Sequence, residues 1–183
     1  MGKLLAEGAI IEEKAGAFDS TALHAAVVFG NNPLVVRLLL VNGADVAARD
    51  KHAATPLHHA ASDDSRAEAG LLLDNNADVR ARDSAGNTPL HDAARFGSTR
   101  VARLLLAKGA DVSAKNCDGK TPRELATMIT SLTRLQIAAM IEAEEMSRAK
   151  WLAFAMGLQE RLGAASCVNV LDEGVARLVL EHV

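Results

Sequence analysis

The chain has 183 residues, a formal net charge of −3, and a composition that is 49% hydrophobic but only 3% aromatic. Charges of both signs are interspersed, so no steering field for nucleic acid or an anionic membrane is expected, and no apolar run approaches the roughly 20 residues that cross a bilayer. The N-terminus lacks a secretory pattern, and Cys117 and Cys167 are not spaced as a pair, which predicts reduced thiols in the cytosol or nucleus.

At the N-terminus, Leu4-Leu5-Ala6-Glu7-Gly8-Ala9 reads like the end of a helix, matching Leu105-Leu106-Ala107-Lys108-Gly109-Ala110 further on. No first helix precedes it, so the chain is expected to open inside a repeat, at a fragment boundary or with a reduced cap over residues 1–19. Thr21-Ala22-Leu23-His24 then begins a repeat that closes on Gly43-Ala44-Asp45-Val46. One extra residue near Asn31-Asn32-Pro33 predicts a longer connection between its two helices.

The next copy starts at Thr55-Pro56-Leu57-His58 and closes on Asn76-Ala77-Asp78-Val79. Asp64 stands where the flanking copies carry Gly30 and Gly97, and Asn76 replaces the loop glycine; both residue types tolerate a left-handed backbone, so the caps are worn rather than lost. Gly70 lies inside the second helix, where it costs about 1 kcal/mol relative to alanine. This copy is predicted to be the weakest.

Thr88-Pro89-Leu90-His91 follows after 33 residues. Thr88 suits an N-cap and Pro89 the first helical position, where its missing N–H costs nothing. Leu90, Ala93 and Ala94 recur at helical spacing, Gly97 breaks the helix, and Val101, Leu104 and Leu105 define a second helix ending at Gly109. Residues 111–119, with the turn dipeptide Asp118-Gly119, project away before Thr121-Pro122-Arg123-Glu124 opens a fourth copy. That copy lacks the Leu-His pair and the glycine, as a terminal repeat does.

Beyond Ser131 the rhythm stops. Leu135, Ala138, Ala139 and Ile141, then Trp151, Phe154, Ala155, Leu158 and Leu162, sustain helical spacing, predicting one long helix or two with a bend near Glu144-Glu145, stopped at Gly163. Leu171, Val175, Leu178 and Val179 mark a last amphipathic helix with Asp172 and Glu173 in its first turn.

A period near 33 belongs to stacked arrays whose units bury their apolar faces only against one another. The Thr-Pro-Leu-His and Gly-Ala-Asp-Val words resemble the ankyrin repeat over residues 4–146. The resemblance implies an all-α solenoid of helix-turn-helix units with hairpin loops, with repeats over residues 20–146 starting near 21, 55, 88 and 121, followed by a helical extension over 147–183. It further implies a non-catalytic module with a concave surface that grips another protein.

In that family the variable contacts are the hairpin tips and the exposed residues late in the first helix. By register these rows hold Ala17, Phe18, Ser20, Val28 and Phe29, then Lys51, His52, Ala54, Ser62 and Asp63. They continue with Ser84, Ala85, Asn87, Arg95 and Phe96, and end with Cys117, Asp118, Lys120, Met128 and Ile129. Phe18, Phe29, Lys51, His52, Asp63, Asn87, Arg95 and Phe96 are the predicted partner-binding residues. The phenylalanines are either exposed anchors or packing between repeats.

Residues 171–183 bear a weaker likeness to the opening helix of F-box motifs, with Leu171, Val175 and Val179 on its apolar positions. That implies an alternative function as a substrate-recruiting adaptor of a cullin-type ubiquitin ligase; the other reading is a helical cap. His24, His58 and His91 occupy one slot in successive repeats, which predicts a shared structural hydrogen bond rather than a metal site. No catalytic residue, metal or cofactor is assigned. The slot after the Asp-Val pair, where an asparaginyl hydroxylase modifies many ankyrin repeats, holds Ala47, Arg80 and Ser113 and predicts a poor substrate.

Overall fold

A computed structural model describes residues 12–30, 32–127 and 132–162, with side chains from 12 to 148 except those of 30, 31, 128–131 and with that of Lys150. Among them are eight helices: α1 (Ala22–Gly30), α2 (Pro33–Val41), α3 (Pro56–Ser62), α4 (Arg66–Asp74), α5 (Pro89–Phe96), α6 (Thr99–Ala107), α7 (Pro122–Thr127) and α8 (Leu132–Leu162). The only β pairing among the described residues is an isolated bridge between Ala15 and Ser20. Contacts divide the chain into two compact parts, Met1–Glu142 and Ala143–Val183.

Within the first part the helices pair as the sequence requires. α1 packs on α2, α3 on α4 and α5 on α6, while first helices pack on first helices and second on second along the array. Leu23, Leu57 and Leu90 fill the same slot and are fully buried, as are Leu39, Leu72 and Leu105 in the second helices. Ala60, Ala61, Ala93 and Ala94 are wholly inaccessible, so small side chains let neighbouring helices approach closely. This is the Ala, Leu and Val core that the composition predicts.

Helix ends follow local chemistry. Thr55 with His58, and Thr88 with His91, form reciprocal capping boxes with proline at the first helical position. At the far ends a left-handed residue stops the second helix of the first three repeats: Gly43 (φ +87°), Asn76 (φ +65°) and Gly109 (φ +81°). The next N–H then closes back on the helix, Ala44 onto Leu39, Ala77 onto Leu72 and Ala110 onto Leu105. Asn76 thus performs the glycine's role, and Asp64 does the same after α3 at φ +52°.

Two expectations need correction or refinement. The extra residue of the first repeat does not lengthen the connection: α1 runs through Gly30 and α2 begins at Pro33, so the insertion is absorbed by a nine-residue first helix. Gly30 is therefore helical and not a stop. In the fourth repeat Glu124 stands in the histidine slot, and its carboxylate accepts from Thr121 N–H (2.7 Å) and Thr121 Oγ1 (3.1 Å), closing that repeat's own box. Beyond it, Ile137, Ala138 and Ile141 are buried in the i, i+1, i+4 pattern of Val101, Ala102 and Leu105. The second helix of the fourth repeat and the long C-terminal helix are thus one element, since no left-handed residue interrupts α8 where Gly109 ends α6. Gly163 and residues 171–183 lie outside the described residues.

Candidate functional site

Each hairpin tip is tied to its neighbour through the backbone. Lys51 N–H donates to Phe18 O (3.0 Å), Ser84 N–H to His52 O (2.8 Å) and Cys117 N–H to Ala85 O (2.9 Å). Arg49 adds a guanidinium bond to Arg82 O (2.8 Å), and Arg82 one to Lys115 O (2.9 Å). The tips therefore form a continuous row. Close approach explains Gly86: a Cβ there would lie 2.9 Å from Cys117 Sγ.

Beneath the tips runs the histidine ladder. In His24, His58 and His91, Nδ1 accepts the N–H of Thr21 (3.3 Å), Thr55 (3.1 Å) and Thr88 (3.1 Å). An accepting Nδ1 leaves the proton on Nε2, which donates to Ala54 O (3.1 Å), Asn87 O (3.1 Å) and Lys120 O (3.0 Å) of the following repeat. Burial is the main cause that pushes all three imidazoles below their ordinary range, despite the favourable carbonyl contact. Both nitrogens are committed to backbone, so the ladder joins repeats and offers nothing to a metal. Glu124 has no N–H to hand on, and the ladder stops there.

Of the eight partner-binding residues predicted by register, all but one lie on the outside of this scaffold. Phe18 is 56%, Phe29 85% and Phe96 57% exposed, and Lys51, His52, Asp63 and Arg95 are exposed beside them. Lys51 Nζ sits 4.2 Å above the Phe18 ring and donates to Ala17 O (2.6 Å), while the His52 ring lies 6.2 Å from Phe18 at 47°. Phe18 and Phe29 border an open groove of about 570 Å³ lined also by Ala22 and Ala25.

The exception is Asn87. It is buried, its Nδ2 donates to Asp83 Oδ2 (3.2 Å), and its Oδ1 accepts from Asn116 Nδ2 (2.9 Å). An amide with both ends engaged inside the tip row holds repeats together and presents no contact surface. Met128 and Ile129 lie outside the described residues, as do Leu171, Val175 and Val179.

Two features of this face were missed by register alone. In the second repeat, His59 Nε2 reaches Asp50 Oδ2 at 3.0 Å, and its ring stands edge-on to His24 at 5.5 Å. Burial works to raise the Asp50 carboxyl, but bonds from His59 and from the His52 and Ala54 amides outweigh it and hold the group below its ordinary range. In the third repeat the same two slots hold Asp83 and Asp92. Asp92 is 8% exposed, and burial, with the Asp83 charge adding, pushes its carboxyl up to about 7 against the pull of Arg95. Comparing slots Asp50/His59 and Asp83/Asp92 in the sequence gives the signal.

Paired antiparallel helices, left-handed loop stops and stacked tips at a period of 33 define a helical repeat solenoid, a class that binds through an extended face. The chain belongs to the ankyrin-repeat family: the family model "Ankyrin repeats (3 copies)" matches residues 2–83 and again residues 23–116. Ankyrin repeats are protein-interaction modules. No curated protein matches the chain as a relative.

Proposed function

We propose that this chain is a non-catalytic module that holds a segment of another protein on the face formed by its tips and first helices. Phe18, Phe29 and Phe96 serve as apolar anchors, with Lys51, His52, Asp63 and Arg95 as the polar contacts around them. The observation that carries this is the placement of three of the chain's four phenylalanines, each more than half exposed, on these rows. Folding gains little from an exposed ring, whereas interface energy concentrates in a few large anchors that desolvate on contact.

Affinity capture from native lysate, with the wild type beside a Phe29→Ala/Phe96→Ala variant, tests it. The double variant should lose the captured protein while its thermal melt stays within a degree or two of wild type, as surface truncations do. Equal recovery with a lowered melt would make the phenylalanines packing residues and refute the assignment.

A further inference from the structure

The +4 slot of the first helices faces the −5 slot of the preceding tip, as the 3.0 Å contact of His59 with Asp50 establishes. In the second repeat, acid meets base. In the third, acid meets acid, and the two carboxylates are in unequal situations. Asp83 is committed: Oδ1 accepts from the Ala85 and Asn87 amides and Oδ2 from the Asn87 side chain. Asp92 is 8% exposed and takes part in none of the ion pairs among the described residues, and because no fully buried side-chain oxygen there lacks a partner, its carboxylate oxygens are open to an arriving group. Arg95, one turn on, pulls on its charge from a distance without pairing with it. A largely buried carboxylate beside a second negative charge holds its own charge poorly, and a cation arriving from outside favours the charged form in place of a proton.

The surroundings specify what the cation is attached to. Asp92, Arg95 and Phe96 share one helix face at i, i+3 and i+4, and Phe96 is 57% exposed, so an apolar anchor stands one turn from the acid. Asp63 adds an exposed negative charge at the corresponding late position of the preceding repeat. Resting on the protein-binding function proposed above, we infer that the third repeat takes an arginine or lysine side chain of the partner polypeptide onto the Asp92 carboxylate, with an apolar neighbour of that residue against Phe96.

Selection of random linear peptides displayed on phage against the full chain tests this without knowing the partner. Recovered peptides should carry a basic residue next to an apolar one. Their affinity, measured with synthetic peptide, should fall at least about tenfold in Asp92→Asn and in peptide with the basic residue changed to glutamine, as loss of a desolvated charge partner does. Asp92→Asn removes a like-charge contact, so its melt should be equal or higher, which separates lost binding from lost folding. Peptides that lack a basic residue, or bind Asp92→Asn unchanged, overturn the inference while leaving the module function standing if Phe29→Ala/Phe96→Ala weakens them. Failure to recover binders overturns the inference, and binders indifferent to all three substitutions overturn both.

Discussion

Acidification from pH 6.5 to 5 tests the histidine ladder most directly. In the unfolded chain His24, His58 and His91 take a proton near 6.5; in the folded chain, burial lowers all three, and the proton would have to displace a threonine N–H from Nδ1. The unfolded state therefore binds more protons below 6.5, so the ladder's contribution is complete above that pH and is lost as the pH falls. Each ring that stays neutral costs at most about 1.4 kcal/mol per pH unit, or roughly 4 kcal/mol for three. Asp92 acts in the opposite sense. Its carboxyl, raised from 3.8 to about 7, takes up a proton in the folded state between those values, returning about 1.4 kcal/mol per unit as the pH falls. The difference predicts a net loss approaching about 2.7 kcal/mol per pH unit, an upper limit for rings that remain unprotonated. Urea unfolding at pH 8, 6.5, 5.5 and 5 reads the slope, and ring resonances read the tautomer. Asp92→Asn should steepen the slope by removing the offset. A flat stability profile in the wild type, or ladder imidazoles that titrate at 6.5 in the folded protein, would refute the bonding scheme.

The second repeat can be strengthened from two sides. Gly70→Ala meets open space and should gain about 1 kcal/mol, and Ala53→Gly should gain a similar amount by relieving an alanine held at φ +56°, both read as shifts in the urea midpoint. Asp64 accepts the Arg100 and Val101 amides at 3.0 Å each and so caps α6 of the next repeat. Asp64→Ala should therefore cost about 1–2 kcal/mol, and Asp64→Gly less because it removes the φ +52° strain; a neutral alanine variant, which keeps that strain, would show that the cap contributes nothing. Leu72→Ala and Leu105→Ala, at fully buried sites, should each cost about 2–5 kcal/mol by the same measurement, and near-neutral values would mean the core register is wrong.

What could be read from the chain divides along a physical line. A helix cap and a core leucine are local in sequence, so Thr88, Pro89, Leu90 and His91 carry their own context and repeat it every 33 residues. The acceptor of each histidine lies 29 or 30 residues downstream in another repeat, and slot matching shows only that the three rings do one job. For the same reason Asp64 passed as a worn glycine, although its carboxylate works 36 residues away on Arg100. Asn87 shows the converse error: register placed it on the contact row, but its amide is consumed by Asp83 and Asn116. The extra residue near Asn31-Asn32-Pro33 predicts a longer connection, but the first helix absorbs it, and the sequence cannot separate the two because either conserves the core. Glu124 is a different case, because Thr121-Pro122-Arg123-Glu124 is itself a capping-box pattern and was legible.

The same line locates specificity. Capping threonines, ladder histidines, loop aspartates and stacked leucines are each constrained by a neighbour within the array, and changing one breaks a cap, a bridge or a core contact. The +4, +7 and +8 positions of the first helices, with the tip residues above them, carry no such duty in most repeats. Ala25, His59 and Asp92 can therefore differ in one slot, as can Phe29, Asp63 and Phe96 in another, without disturbing the stack. On the face proposed for the partner, these are the side chains that differ from repeat to repeat.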